Sequence, residues 1–328
     1  MAQTKRAVVV FQLGGPDSLE AVEPFLYNLF CDPDIIDLPL AFLFRKPLAR
    51  LIASKRAPIA QKLYAGIGGR SPIREQTQMQ ADALAKYLAE AGCPLPVHVA
   101  MRYWHPRADA VIQKLLDDGI EEVILLPLYP HYSKATTGSS MREWNELMQR
   151  THAQTKIRSQ LIEAYYDDPL YIRALVERIR EAIERVPAAD RPKLHLLFSA
   201  HGTPMKLVRD GDPYSQHIRR TYELVVEQGQ FNLPHSLCFQ SKVGPQQWLR
   251  PSLVETVERL ASENVSHVIV NPLAFVTDHI ETLSEINIEA KHQARKLGIE
   301  YFEMTAPLLV SRPFIECLGR QVLSAIPP

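Results

Sequence analysis

AVVVFQLGGP, residues 7–16, is a β-branched and aromatic run that stops at two glycines and a proline. Apolar residues at consecutive rather than alternate positions are what a strand buried on both faces requires. Gly14, Gly15 and Pro16 then turn the chain. The stretch reads as the first strand of a parallel sheet. It does not read as a secretory leader, because its apolar part is short and runs straight into the turn.

Outward from this strand the pattern alternates. Residues 97–101, 122–126 (EVILL) and 156–161 read as further strands, with helical periodicity over 17–30, 73–92, 107–118 and 136–151. The second half restarts the alternation, with strands at 194–198, 236–240 and 267–271 (HVIVN) and helices near 168–186, 213–228, 251–262 and 278–296. Buried strands separated by helices indicate parallel sheets covered on both faces. The 328 residues suit two α/β domains. We place them at 1–162 and 163–310, and read the last helix, about 311–328, as returning to pack on the first.

Composition narrows the function. The chain is 46% hydrophobic, enough for real cores, and 37 basic residues balance 37 acidic ones. No basic excess points to nucleic acid. The four cysteines, Cys31, Cys93, Cys238 and Cys317, form no CxxC pair, which argues against a disulfide framework or a cysteine-rich zinc site and fits a reducing compartment. No uninterrupted apolar stretch is long enough to span a bilayer.

In open α/β sheets ligands bind beyond the carboxyl ends of the strands, so the loops there are where chemistry is sought. FSAHGTP, 198–204, carries His201 on a glycine–proline loop, either as a base near neutral pH or as a side chain that only ties down the loop. FVTDHIETLSEINIE, 275–289, offers Asp278 as a helix cap with Glu281 three residues on, a box-like start. Glu281, Glu285 and Glu289 recur every four residues and share one helix face. Like charges at that spacing repel, and no basic residue intervenes before Lys291. A row headed by His279 is either a solvated face or a path for a divalent metal or for protons; ferrous iron accepts imidazole and carboxylate together. YPHYSKATTGSS, 129–140, is an anion cradle or a plain cap, and Trp248 on QSKVGPQQWL, 240–249, is a flat wall for an aromatic ligand or core packing.

LGGPDS, IGGRSPI, MRYWHP, YPHYSKATTGSS, LFSAHGTP, RDGDPY, QSKVGPQQWL and FVTDHIETLSEINIE together resemble the ferrochelatases, in family order from residue 13 to residue 289. The resemblance implies two Rossmann-like, chelatase-type domains, each a parallel sheet flanked by helices, with the active-site cleft between them. It implies ferrous iron insertion into protoporphyrin IX, with porphyrin and ferrous iron as partners. His201 resembles the pyrrole-proton acceptor and Glu281 with His279 the second catalytic pair; His201 and Glu281 are the candidate metal contacts. Asp278, Glu285 and Glu289 resemble an acidic path, with Tyr129 and Tyr165 on a side proposed for iron. Leu13, Arg56, Tyr64, Ser71, Arg102, Tyr103 and Trp248 resemble porphyrin-binding residues.

The chain departs from the animal enzymes of this family, whose 2Fe–2S cluster uses a C-terminal cysteine group and a cysteine in the loop where Lys134 stands here. No iron–sulfur cluster and no tightly bound cofactor are expected, and a bacterial-type cytoplasmic protein is. Residues 35–52, apolar then basic, read either as a core helix with a basic outer side or as an interfacial lip peripheral to the inner face of the cell membrane. The alternatives kept open are iron insertion into coproporphyrin III, cobalt insertion into sirohydrochlorin, and a non-catalytic tetrapyrrole carrier, which would need neither base nor metal path.

Overall fold

A computed structural model describes residues 4–35, 41–242 and 246–326. Residues 36–40 of the expected lip and Val243, Gly244 and Pro245 of the tryptophan loop lie outside the described residues. The chain divides into two compact units, one running to Ala164 and resuming at Ile315, the other Tyr165–Phe314.

The first unit holds a parallel sheet of β1 (Arg6–Gln12), β2 (Val97–Met101), β3 (Glu122–Pro127) and β4 (Arg158–Leu161), in the order β2-β1-β3-β4. Every residue of β1 from Ala7 to Gln12 is buried, as its unbroken apolar run requires. Val9, Phe11, Val123 and Leu125 pack against Ile112 and Leu115 of the helix Ala108–Asp117 and Trp144 of the helix Ser139–Arg150. Trp144 meets Phe11 edge-on at 5.7 Å, and its indole N–H donates to Ser159 Oγ at 3.0 Å, so the largest core side chain leaves no polar atom unpaired.

The helix Ala41–Gly66 turns its smallest residues inward. Ala49 and Ala53 pack with Phe30 of the helix Val22–Phe30, an approach that small side chains permit. Its larger apolar residues Phe44, Leu51 and Ile59 are 66%, 53% and 67% exposed. The last helix, Arg312–Ala325, carries Gly319 where the Tyr87 ring of the helix Ile73–Glu90 leaves no space: a Cβ there would lie 2.2 Å from the ring.

The second unit repeats the plan with β5 (Leu194–His201), β6 (His235–Gln240), β7 (His267–Pro272) and β8 (Tyr301–Met304), in the order β6-β5-β7-β8. β8 was not anticipated: it is a four-residue edge strand in which only Phe302 is buried, too short and polar for a periodic signal. Local signals set the helix starts. Asp168 accepts from Leu170 N–H at 2.8 Å with Pro169 opening the helix Pro169–Glu184, and Ser252 with Glu255 forms a capping box at Leu253–Ser262.

The expected α-helix over 278–296 is π-helical over Glu281–Ala290 and α-helical only over Lys291–Lys296. Ile286 and Ala290 anchor the π segment in the core with Val257, Leu260, Val268 and Val270. π-Helix is rare, and where it occurs it is frequently at functional sites. Among the described residues, no helix is long and apolar enough to cross a membrane.

Candidate active site

β5 is flanked by β6 on one side and β7 on the other, and β7 leads on to β8, so the chain leaves the carboxyl ends of β5 and β7 toward opposite edges of the sheet. Such a switch point opens a crevice beyond the carboxyl ends of its two strands. His201 ends β5, and His279 and Glu281 follow β7.

The loop after β5 is fastened from three directions. The Tyr214 hydroxyl donates to the His201 carbonyl at 3.0 Å, Gly202 N–H donates to the Gln240 carbonyl at 2.8 Å, and Leu249 N–H donates to the Thr203 carbonyl at 3.0 Å. Gly202 is obligatory: a Cβ there would lie 2.7 Å from the Gln240 carbonyl and 3.5 Å from the half-buried Trp248 ring. The His201 imidazole is edge-on to Phe275 at 6.4 Å, and Phe275 is edge-on to His279 at 4.6 Å.

His279 Nδ1 and Glu281 Oε2 are 2.8 Å apart, with side chains 13% and 21% exposed. The π segment begins at Glu281 with Ile280, rather than the anticipated Asp278, at its N-cap position. Ile280 gives no side-chain cap bond; the Thr282 hydroxyl, which accepts from His279 N–H, donates to Asp278, and Glu281 turns to His279.

Burial drives the Glu281 pKa up, but the charge and hydrogen bond of His279, and His201 beyond, outweigh it and hold the carboxyl at about 2. Glu281 is therefore ionised at neutral pH, so His279 Nδ1 is the donor in their hydrogen bond. Burial lowers His201, against the pull of Glu281, and leaves a neutral imidazole able to take a proton.

The acidic row stays together but its members differ. Glu285 accepts from Ser241 Oγ at 2.6 Å; burial, and then Glu281 and Glu289, push it up to about 7 despite that bond. Glu289, exposed, accepts from Ser284 Oγ at 3.1 Å, five residues apart as a π-helix spaces its turns. Among the described residues, no three His, Cys, Asp or Glu side chains form a group able to hold a metal ion.

The other sequence-derived residues divide between the units. Trp248 and Tyr165 belong with this site's unit; Tyr165 is buried edge-on to Tyr171 at 5.8 Å. In the first unit, Tyr64 and Ser71 are buried, Leu13 and Tyr129 are half-buried, and burial pushes the Tyr129 hydroxyl up. Arg56 is exposed over the Phe30 ring at 5.9 Å.

Arg102 and Tyr103 are committed inside that unit. The Tyr103 hydroxyl donates to Asp32 at 2.7 Å; Arg102 bonds Asp32 at 2.7 Å, Glu143 at 3.0 Å and Ser139 Oγ at 2.8 Å. Arg142 and Ser139 also contact Asp32, whose side chain is fully buried. Burial raises the Asp32 pKa, but Arg102 and its hydrogen bonds overcome that and keep it ionised.

Sequence reasoning missed Asp32, and it quoted Gln240, Ser241 and Phe275 without giving them roles. The polar pair that ends the strand HSLCFQ was the available signal for Gln240 and Ser241; Asp32 had none.

Comparison with known proteins bears on family and fold. The sequence model of a family described as Ferrochelatase matches residues 5–326. A ferrochelatase of Geotalea daltonii is 45% identical over 320 residues, covering 98% of both chains. One of Gloeobacter violaceus is 43% identical over 317 residues, covering 96% of both. Among solved structures, SirB from Bacillus subtilis with Fe3+ superposes with a TM-score of 0.56 at 11% identity, over 98% of this chain and 96% of that one. That likeness speaks for the two-domain chelatase fold alone, whereas the family match and the near-full-length relatives establish that the chain belongs to the ferrochelatase family of enzymes.

Proposed function

We propose that this enzyme inserts ferrous iron into protoporphyrin IX to form protohaem, with His201 as the acceptor of the pyrrole protons. The observation that carries this reading is a half-buried His201, its pKa lowered below the ordinary value, in the field of an ionised Glu281 that is itself paired with His279 at 2.8 Å.

Insertion breaks two N–H bonds and forms four iron–nitrogen bonds without change of oxidation state. A base must be neutral when the ring presents its proton, and His201 is. The proton then moves into the field of Glu281, which stabilises the imidazolium formed. General-base help of this kind is worth about 10²–10⁴-fold. Binding energy from the rest of the macrocycle supplies the ring distortion that turns an N–H toward the base. Glu281 with His279 receives the metal or relays released protons, and Glu285 and Glu289 extend that polar path outward. A carrier would need none of this row.

We also assign the exposed Phe44 and Leu51, with Lys46 and Arg50 beside them, to peripheral contact with the inner face of the cell membrane, from which an apolar porphyrin would be taken. The cytoplasm is the corresponding location. The test of substrate is an anaerobic ferrous iron insertion assay comparing protoporphyrin IX with coproporphyrin III. A large kcat/KM preference for coproporphyrin would overturn the protoporphyrin assignment while leaving the chelatase chemistry in place.

A further inference from the structure

Gln240 and Ser241, where β6 ends, both act on the π-helical segment. Gln240 accepts from Ser199 Oγ at 2.7 Å and donates through Nε2 to the Glu281 carbonyl at 2.8 Å. Ser241 donates through Oγ to Glu285 Oε2 at 2.6 Å. Ser241 does so from φ +66°, a left-handed conformation that a non-glycine residue adopts rarely and at a cost. Glycine would relieve that cost but bring no hydroxyl. The middle carboxylate of the row stands between Glu281 and Glu289, which repel it, and no cationic side chain bonds to it among the described residues. Ser241 holds it through its backbone as well as its hydroxyl, and the hydroxyl is the part a substitution can remove.

We propose that Ser241 is a positioning residue for metal insertion: its strained backbone holds a hydroxyl on Glu285 and so keeps that carboxylate in file with Glu281. The proposal rests on the reading of Glu285 as part of the metal or proton path. Ser241 acts through Glu285 and needs no contact with iron or porphyrin to do so. A purely structural serine predicts the opposite behaviour, because replacing it by glycine at a positive φ should cost nothing.

The test is anaerobic steady-state kinetics at pH 8 with ferrous iron varied, on the full chain, together with melting temperatures, for Ser241→Gly, Ser241→Ala, Glu285→Gln and Ser241→Gly/Glu285→Gln. We expect Ser241→Gly to melt at or above wild type yet lose about tenfold in kcat/KM for iron, the scale of one hydrogen bond to a charged group. Ser241→Ala should lose as much, and serves if the glycine variant folds poorly. The double variant should be no slower than Glu285→Gln alone, since the hydroxyl then has no carboxylate to hold. Wild-type kinetics for both serine variants with a slow Glu285→Gln would overturn the Ser241 assignment alone. Losses that multiply in the double variant would overturn it too, by showing that Ser241 acts elsewhere. A Glu285→Gln enzyme with wild-type rate would remove the path reading and this proposal together.

Discussion

His279 Nδ1 donates to Glu281 Oε2 across 2.8 Å, and this bond helps hold the Glu281 carboxylate ionised. Glu281 is held at about 2, below its ordinary 4.5. A depressed carboxylate contributes stability that is present above its unfolded pKa and is lost as pH falls through the folded one. Glu281→Gln should therefore flatten the fall of urea stability with acid between about pH 4.5 and pH 2, and should slow metal insertion by about 10²-fold or more. An unchanged acid slope would mean that the pair carries no net ionic stabilisation.

His201→Ala should abolish metallation while porphyrin still binds, because it removes the proton acceptor and leaves the rest of the site. The half-buried wild-type imidazole has a lowered pKa, so its stability contribution is complete above its unfolded value, near 6.5, and is lost as pH falls toward the folded one. Wild type should thus lose stability faster than His201→Ala on acidification below pH 6.5. Turnover of the variant within a few-fold of wild type would take His201 out of the mechanism.

Glu285 has the opposite sign. Its pKa is raised to about 7, so its contribution is present below the unfolded value and is lost as pH rises through the folded one. Glu285→Gln/Glu289→Gln should melt higher than wild type at pH 8, by a margin that closes toward pH 4.5, while inserting iron more slowly. An ordinary solvated face predicts no such margin and a wild-type rate at every iron concentration.

The sequence resemblance puts Lys134 where a cluster-ligating cysteine would be expected, and the four cysteines of this chain are dispersed through it. The purified protein should be colourless, with no visible charge-transfer absorption. Stoichiometric acid-labile sulfide with a reproducible cluster spectrum would contradict this.

Phe44→Ser/Leu51→Ser should weaken co-sedimentation with vesicles containing anionic lipid and leave insertion into detergent-solubilised porphyrin unchanged. Removing two apolar anchors from a weakly held face, at about 25 cal/mol per Å² of buried apolar area, is enough to shift a marginal partition. Equal sedimentation of variant and wild type would leave this face without a membrane role.

The sequence by itself determined the parallel α/β architecture, the strand ends that carry His201 and the His279–Glu281 segment, and the four-residue recurrence of the glutamates. These are short-range signals: an unbroken apolar run reports a strand buried on both faces, and a glycine or a cap residue marks where it ends. Tertiary structure alone decided that Glu281–Ala290 is π-helical, that Glu281 pairs with His279 rather than closing a capping box, and that Ser241 tethers Glu285. It also decided that Asp32 gathers Arg102 and Tyr103, 70 and 71 positions away. Those outcomes depend on which groups lose water together and on charges brought close by the fold, and neither burial nor proximity across tens of residues leaves a periodic trace in the chain.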